Sequence, residues 1–333
     1  MFDYFLYDIL IIEGGNRFKV KKNSNWIFII LLILCITIII LLSFKLFTNK
    51  NNNLMMEWQQ TSISDFHSPE YKEKIIRATF VETKEIPENA IKTWDVSMDK
   101  TESVIAYIMP DNSDSNFYNL YIGADGKVIA SESLSYIFHN FPELLSVDMG
   151  SLDAKNVNIM WRSFSSSPKL TSVVLPTNTN SLKNINAIFS GCSSLVSVNL
   201  SNMYLENIED IGYAFSGCSK LTNINFGDFT ATKVEDFSYT FSGCNMLTKL
   251  NISQFKPESL KKVSHMFNWS NRLENLDISQ INFNNIEDDA SAIFYKMPTS
   301  ATVYVKDEQT KQWILSLSED NRPAWTDANI VVK

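Results

Sequence analysis

Four cysteines, three histidines, ten glycines and nine prolines are all that this chain of 333 residues holds of those types. So few thiols and imidazoles leave little for a metal site. The scarcity of glycine and proline, with a hydrophobic fraction of 45%, excludes a collagen, a low-complexity polymer and a chain disordered from end to end. His67, His139 and His265 stand far apart, and no nucleophile–base–orienter set accompanies them. The expectation is a protein that is not an enzyme and takes no cofactor.

Charge is unevenly spread. The net value is −8, yet residues 1–50 carry six basic side chains (Arg17, Lys19, Lys21, Lys22, Lys45, Lys50) against Asp3, Asp8 and Glu13. Of 29 basic and 37 acidic residues, 23 and 34 are therefore left for residues 51–333, a net −11. An acidic body of this kind is a poor nucleic-acid binder, because phosphate contacts need a basic face.

What is present begins with one long apolar run. Trp26 to Phe44 contains no charge and is dominated by Ile and Leu. As a helix it spans ~28 Å, close to the hydrocarbon core of a bilayer. It is too long for a signal-peptide core, and Ser43–Phe47 offers no small-x-small cleavage site. The sequence thus predicts a transmembrane helix over 26–46 behind a short tail, 1–25. The basic residues at 17–22 place that tail in the cytoplasm and the body outside the cell membrane.

Residues 47–71 are polar, lack sustained periodicity and read as a flexible linker. Over 72–137 the pattern is one of short strands, Ile75–Val81, Ile91–Val96 and Val104–Met109. Asp125-Gly126 then sits between apolar runs in Tyr118–Ile129 as a hairpin signal. These strands are expected to cap the region after residue 137 by covering its first turn.

From residue 138 the chain repeats. Phenylalanines recur at 138, 164, 189, 215, 241, 267 and 294 with spacings of 25 to 27 residues. Six residues on stand Leu144, Leu170, Leu195, Leu221, Leu247 and Leu273. Nine on stand Val147, Val173, Val198, Ile224, Leu250, Leu276 and Val303. A unit this short with one apolar edge cannot bury that edge alone, so units stack and share a core. The ninth and eleventh positions have strand spacing, and stacked copies make a parallel sheet. The segment SGC closes a turn near each phenylalanine, with Gly191, Gly217 and Gly243 allowing tight backbone. Cys192, Cys218 and Cys244 share one repeat position with Phe141, Ser167, Ser270 and Met297, which points to buried packing rather than a disulfide or metal set. Glu209-Asp210, Glu235-Asp236 and Glu287-Asp288-Asp289 read as an acidic, solvated edge.

With these columns in view, FSGCSKLTNINF at 215–226 and its sisters at 189–200 and 241–252 resemble the BspA-like leucine-rich-repeat surface proteins of bacteria. Trp94–Ser97, Ser103–Tyr107 and Tyr121–Gly126 are similar too, as are Val303–Lys306, Trp313-Ile314 and Arg322–Trp325. The resemblance covers roughly residues 90–333. It implies an α/β leucine-rich-repeat solenoid with parallel strands, displayed at a cell surface, some members being adhesins. The expected organisation is a solenoid over 138–305 and a carboxy-terminal cap over 306–333, preceded by one transmembrane helix.

The candidate binding surface is the outward side of the strands, where Asn199, Asn223, Asn225, Asn251, Asn275 and Asp277 form ladders of small polar groups. No aromatic or arginine cluster marks a hot spot. The first reading is a membrane-anchored binding or adhesion module for an extracellular protein or glycan. The alternative is a structural or assembly component of the envelope near the membrane, with self-association as one route. Neither involves nucleic acid, and both place the bilayer around residues 26–46.

Overall fold

The runs rich in apolar and β-branched residues before residue 125 become strands, of which the third is apolar throughout from Val104 to Met109 and buried on both faces over Val104–Ile108. These are β1 (Ile75–Val81), β2 (Lys92–Asp95), β3 (Val104–Pro110) and β4 (Tyr118–Ala124). The computed structural model describes residues 30, 32–40 and 53–333. Residues 30 and 32–40 are helical with outward-facing Ile and Leu side chains, and they form a unit separate from 53–333. Among the described residues no helix is long and apolar enough to cross a membrane. The expected tail at 1–25 and most of the expected span at 26–46 lie outside them.

Beyond β4 every repeat contributes one short rung: β5 (Ser146–Asp148), β6 (Ser172–Val174), β7 (Ser197–Asn199), β8 (Asn223–Asn225), β9 (Lys249–Asn251), β10 (Asn275–Asp277) and β11 (Thr302–Val305). A last strand, β12 (Ile330–Val332), returns from the carboxy-terminal cap to pair with β11. The orders are β2-β3-β4-β1-β5-β6, β7-β8 and β12-β11-β10-β9, and the repeat rungs pair in parallel. Val147 faces Val173, Val198 faces Ile224 and Leu250 faces Leu276, so the ninth-position column is the inward face of the sheet. Parallel leucine-rich repeats with these sheets make an α/β repeat fold.

Two expectations need correction. Asp125-Gly126 is no hairpin: after it Ile129 bridges in parallel to Leu54 and Asp153, so the turn carries the chain round a corner onto a second face. The antiparallel pairs are β2 with β3 and β3 with β4. Nor is the linker free from residue 53 onward. Met55, Trp58, Phe66 and His67 are buried, and Phe66 and His67 lie 6.4 Å and 5.5 Å from the Phe141 ring. The first repeat has no predecessor to cover Phe138 and Phe141, and this segment supplies the missing apolar surface.

The phenylalanine column is a continuous stack. From Phe138 through Phe164, Phe189, Phe215, Phe241 and Phe267 to Phe294, ring centroids lie 5.2–6.1 Å apart at interplanar angles of 5–18°. Beside it, the thiols of Cys192, Cys218 and Cys244 donate to the carbonyls of Phe164, Phe189 and Phe215 in the preceding repeat at 3.1–3.3 Å. Ser167 and Ser270 do the same to Phe138 and Phe241 at 2.9 and 2.7 Å. The cysteine column is therefore buried, as the sequence indicates, and it also works as a row of hydrogen-bond donors. Burial pushes the Cys192 and Cys244 thiols up to about 12.

A second backbone ladder runs along this edge. The residues two before and two after each phenylalanine all have φ between +49° and +78°, including Tyr136, Arg162, Tyr213, Tyr239, His265, Trp269 and Lys296. This left-handed region costs a non-glycine residue roughly 1–2 kcal/mol. Here it turns alternate N–H groups toward the next repeat. Tyr213 donates to Ser238 O (2.8 Å), Phe215 to Thr240 O (3.0 Å) and Gly217 to Ser242 O (2.8 Å), and the other repeats follow suit. Satisfying these buried backbone groups offsets the strain. Both ends of the ladder are closed. His67 Nε2 meets the Ile137 carbonyl at 2.9 Å, while Asn321 accepts from Phe294 N with its carbonyl (2.8 Å) and from Ala292 N with Oδ1 (2.7 Å).

Candidate functional site

The outward strand face is built from the residues flanking each inward apolar one. Asn199, Asn223, Asn225 and Asn251 are exposed there, Asn275 is half-buried and Asp277 is buried. Pairing brings Asn199 beside Asn225 and Asn251 beside Asp277. Asn223 lies beside Ser197, and Asn275 between Lys249 and Thr302.

The residue ending five of the seven rungs has a local duty. Its side-chain oxygen accepts the backbone N–H two residues on: Asp148 from Gly150 (2.9 Å), Asn199 from Ser201 (3.1 Å) and Asn225 from Gly227 (3.1 Å). Asn251 accepts from Ser253 (2.9 Å) and Asp277 from Ser279 (3.1 Å) in the same way. Such turns stop the strand and fix the side chain. They leave the Nδ2 donors of Asn199, Asn225 and Asn251 facing solvent in a rigid row. Asp277 is committed further, because Lys333 Nζ reaches its Oδ2 while lying 4.0 Å from the Tyr304 ring centroid. Burial raises the Asp277 carboxyl, but the bonds from Lys333 and Ser279 outweigh it and hold the group below its ordinary value.

The acidic pairs divide by role. Glu209 and Glu235 reach Lys183 and Lys261 of neighbouring repeats at 3.5 and 3.0 Å. The aspartates turn inward. Asp210 accepts from Asn184, Asn186 and Gly212 N, and Asp288 accepts from Val263, Ser264 and Ala290 backbone N–H groups. Burial leaves the Asp210 carboxyl above its ordinary value. The edge read as solvated is thus half structural. Among the described residues no group of three or more His, Cys, Asp or Glu could hold a metal ion.

The histidines fall into separate settings. His67 Nδ1 faces Asp65 at 2.6 Å inside the amino-terminal cap, with its other nitrogen spent on Ile137. His139 Nδ1 meets Ser165 Oγ at 2.7 Å, and burial lowers its basicity. His265 stacks on Tyr239 at 4.3 Å, and Tyr239 on Tyr213 at 4.4 Å. No aromatic cluster is visible along the strand sequence, but the stacked edge assembles one that strand-based reasoning missed. Trp269, 52% exposed, lies beside Tyr295 with Lys296 Nζ over both rings. The signal for the stacked part is the column two before each phenylalanine, which reads Tyr136, Arg162, Ala187, Tyr213, Tyr239, His265, Ala292, whereas Trp269 stands two after its phenylalanine, in the column of Gly191, Gly217 and Gly243.

Residues 157–298, where rungs, stacked phenylalanines and thiol donors recur most regularly, match the model of the BspA type leucine rich repeat region in six copies. This array is a BspA-type leucine-rich-repeat region. No curated protein and no solved structure matches the chain. The BspA-type match starts at the second repeat, so Phe138 and the strands before it belong to the amino-terminal side of the array rather than to the matched region.

Proposed function

We propose that the BspA-type array is a non-enzymatic module that binds an extracellular protein or glycan, held at the cell surface by a membrane helix over residues 26–46. Leucine-rich-repeat regions of this kind generally bind rather than catalyse. The observation that carries the reading is the row of carboxamides at Asn199, Asn225 and Asn251. Each is pinned through its oxygen to its own turn, with its donors left to solvent. Donors fixed in advance lose little entropy when a ligand arrives. Strand pairing sets Asn199 and Asn225 about 4.8 Å apart, with Asn251 on the rung of the next repeat, an arrangement that suits an extended ligand laid across the strands.

The test is to present the full-length protein to arrays of extracellular-matrix proteins and glycans. The wild type is compared with the triple variant Asn199→Asp, Asn225→Asp, Asn251→Asp, which keeps each turn-closing oxygen but removes the outward donors. A ligand that binds the wild type and is lost with the variant supports the reading. A full set of ligands bound equally by both contradicts the assignment to this face.

A further inference from the structure

We propose that the edge bearing the left-handed ladder binds an extended anionic polysaccharide that carries an acid group on every second sugar. This goes beyond the strand-face reading and does not depend on it, since it involves another surface and other residues.

The first observation is charge. Across the seven repeats, the nine positions from three before to five after each phenylalanine hold one carboxylate, Glu143, although the chain has 37. The same positions hold Arg162, Lys169, Lys220, Arg272 and Lys296. Glu143 is taken up by Lys169 at 2.6 Å. Three of the other four cations meet aromatic or thioether groups instead: Arg162 lies over Trp161, Lys296 over Trp269 and Tyr295, and Arg272 Nη1 touches Met246 Sδ at 3.2 Å. The fourth, Lys220, is exposed. In a body of net negative charge, one face is kept almost clear of acids. A face of this kind attracts an anion and repels little.

The second observation is spacing. Lys169, Lys220 and Arg272 all stand five residues after their phenylalanine, in the second, fourth and sixth repeats. The intervening repeats place Ser194 and Met246 there. Hydrogen-bonded neighbours are about 4.8 Å apart, so the cations recur at ~10 Å. That is the length of a disaccharide in an extended chain, and a polysaccharide with an acid on alternate sugars matches the charge period.

The third observation is the surface between the charges. Gly191, Gly217 and Gly243 follow one another with no side chain, half-buried and each packed toward the backbone of the preceding repeat, so the row between the charges is low and flat. Tyr213, Tyr239 and His265 flank it as a stacked ladder, and Trp269 takes the next place in the glycine row with its ring in solvent. Rings stacked on each other hide their faces from a nucleobase, which disfavours single-stranded nucleic acid. The hydroxyl-bearing edges of Tyr213 and Tyr239, with the Trp269 face, suit a ring that is apolar on its faces and hydroxylated at its rim.

The experiment measures binding of the full-length protein to hyaluronan oligosaccharides, which carry one carboxylate per disaccharide. Dextran serves as the neutral glycan and poly-glutamate as the acidic peptide. The proposal predicts hyaluronan binding that weakens as salt rises, with little affinity for dextran or poly-glutamate. It also predicts at least a tenfold loss in Lys220→Glu/Arg272→Glu, and a smaller loss in Lys220→Gln/Arg272→Gln, which guards against misfolding of the charge-reversed protein. Asn199→Asp/Asn225→Asp/Asn251→Asp on the strand face should leave it unchanged. Absence of hyaluronan binding, equal binding by the glutamine variant, or tighter binding of poly-glutamate would each overturn it. Loss only in the strand-face variant would overturn it too, while leaving the strand-face reading standing.

Discussion

His67 Nε2 stands 2.9 Å from the carbonyl oxygen of Ile137, seventy residues away in sequence. That carbonyl belongs to the first repeat, whose backbone ladder has no preceding repeat to supply an N–H. The imidazole takes the place of the missing neighbour, while Asp65, which also accepts from the Trp58 indole N–H, holds it from behind. The solenoid is thus closed by a side chain drawn from the segment that the sequence presents as linker.

Removing that closure should be costly. His67→Ala leaves Asp65 buried without its main partner and Ile137 without a donor, and should lose about 3 kcal/mol of stability. Chemical denaturation reads the loss, and limited proteolysis should show cleavage shifting into residues 53–71.

Acid should act on the same place. Burial raises the Asp65 carboxyl, but the hydrogen bonds and charge of His67 and the Trp58 indole bring it below its ordinary value. A depressed carboxyl contributes stability that is present above its unfolded value and lost as pH falls through the folded one. Amide exchange within 53–71 should therefore accelerate below about pH 4, and Asp65→Asn should flatten that dependence.

The thiol column makes a chemical prediction. Buried thiols raised to about 12, as at Cys192 and Cys244, are protonated at neutral pH and shielded. In the native protein these two and Cys218 should resist alkylation, and all three should react after denaturation. Cys218→Ser should fold with stability within about 1 kcal/mol of the wild type, because serine fills this column at positions 167 and 270.

Trp269 separates stability from recognition. It occupies a left-handed position that glycine holds at 191, 217 and 243, with φ of 58°. Trp269→Gly should leave the melting temperature close to that of the wild type, since relief of strain offsets the lost ring contacts. A large fall in melting temperature would show that the ring serves packing instead.

Much of this was legible because the repeat advertises itself. Phe189, Leu195 and Val198 recur in register, and buried apolar columns are what periodicity reports. The strand observed at Val104–Pro110 was legible as the apolar run Val104–Met109. The capping role of Trp58, Phe66 and His67 was hidden, because three residues scattered in a polar stretch have no period. The left-handed ladder was hidden as well: glycines hint at it, but Tyr213, Tyr239 and Trp269 adopt it only because neighbouring repeats compensate. On the strand face, repeat register located the asparagines but could not tell that the oxygens of Asn199, Asn225 and Asn251 are committed to turns.

The measurement that bears most directly on outward display is labelling of intact cells with a membrane-impermeant amine reagent, with peptide mapping of the lysines. Lys220, Lys256 and Lys296 are exposed on the folded body. Outward display predicts that they are labelled on intact cells, or once any wall is stripped, without lysis. Labelling only after the membrane is broken would place the repeat array inside the cell and contradict it.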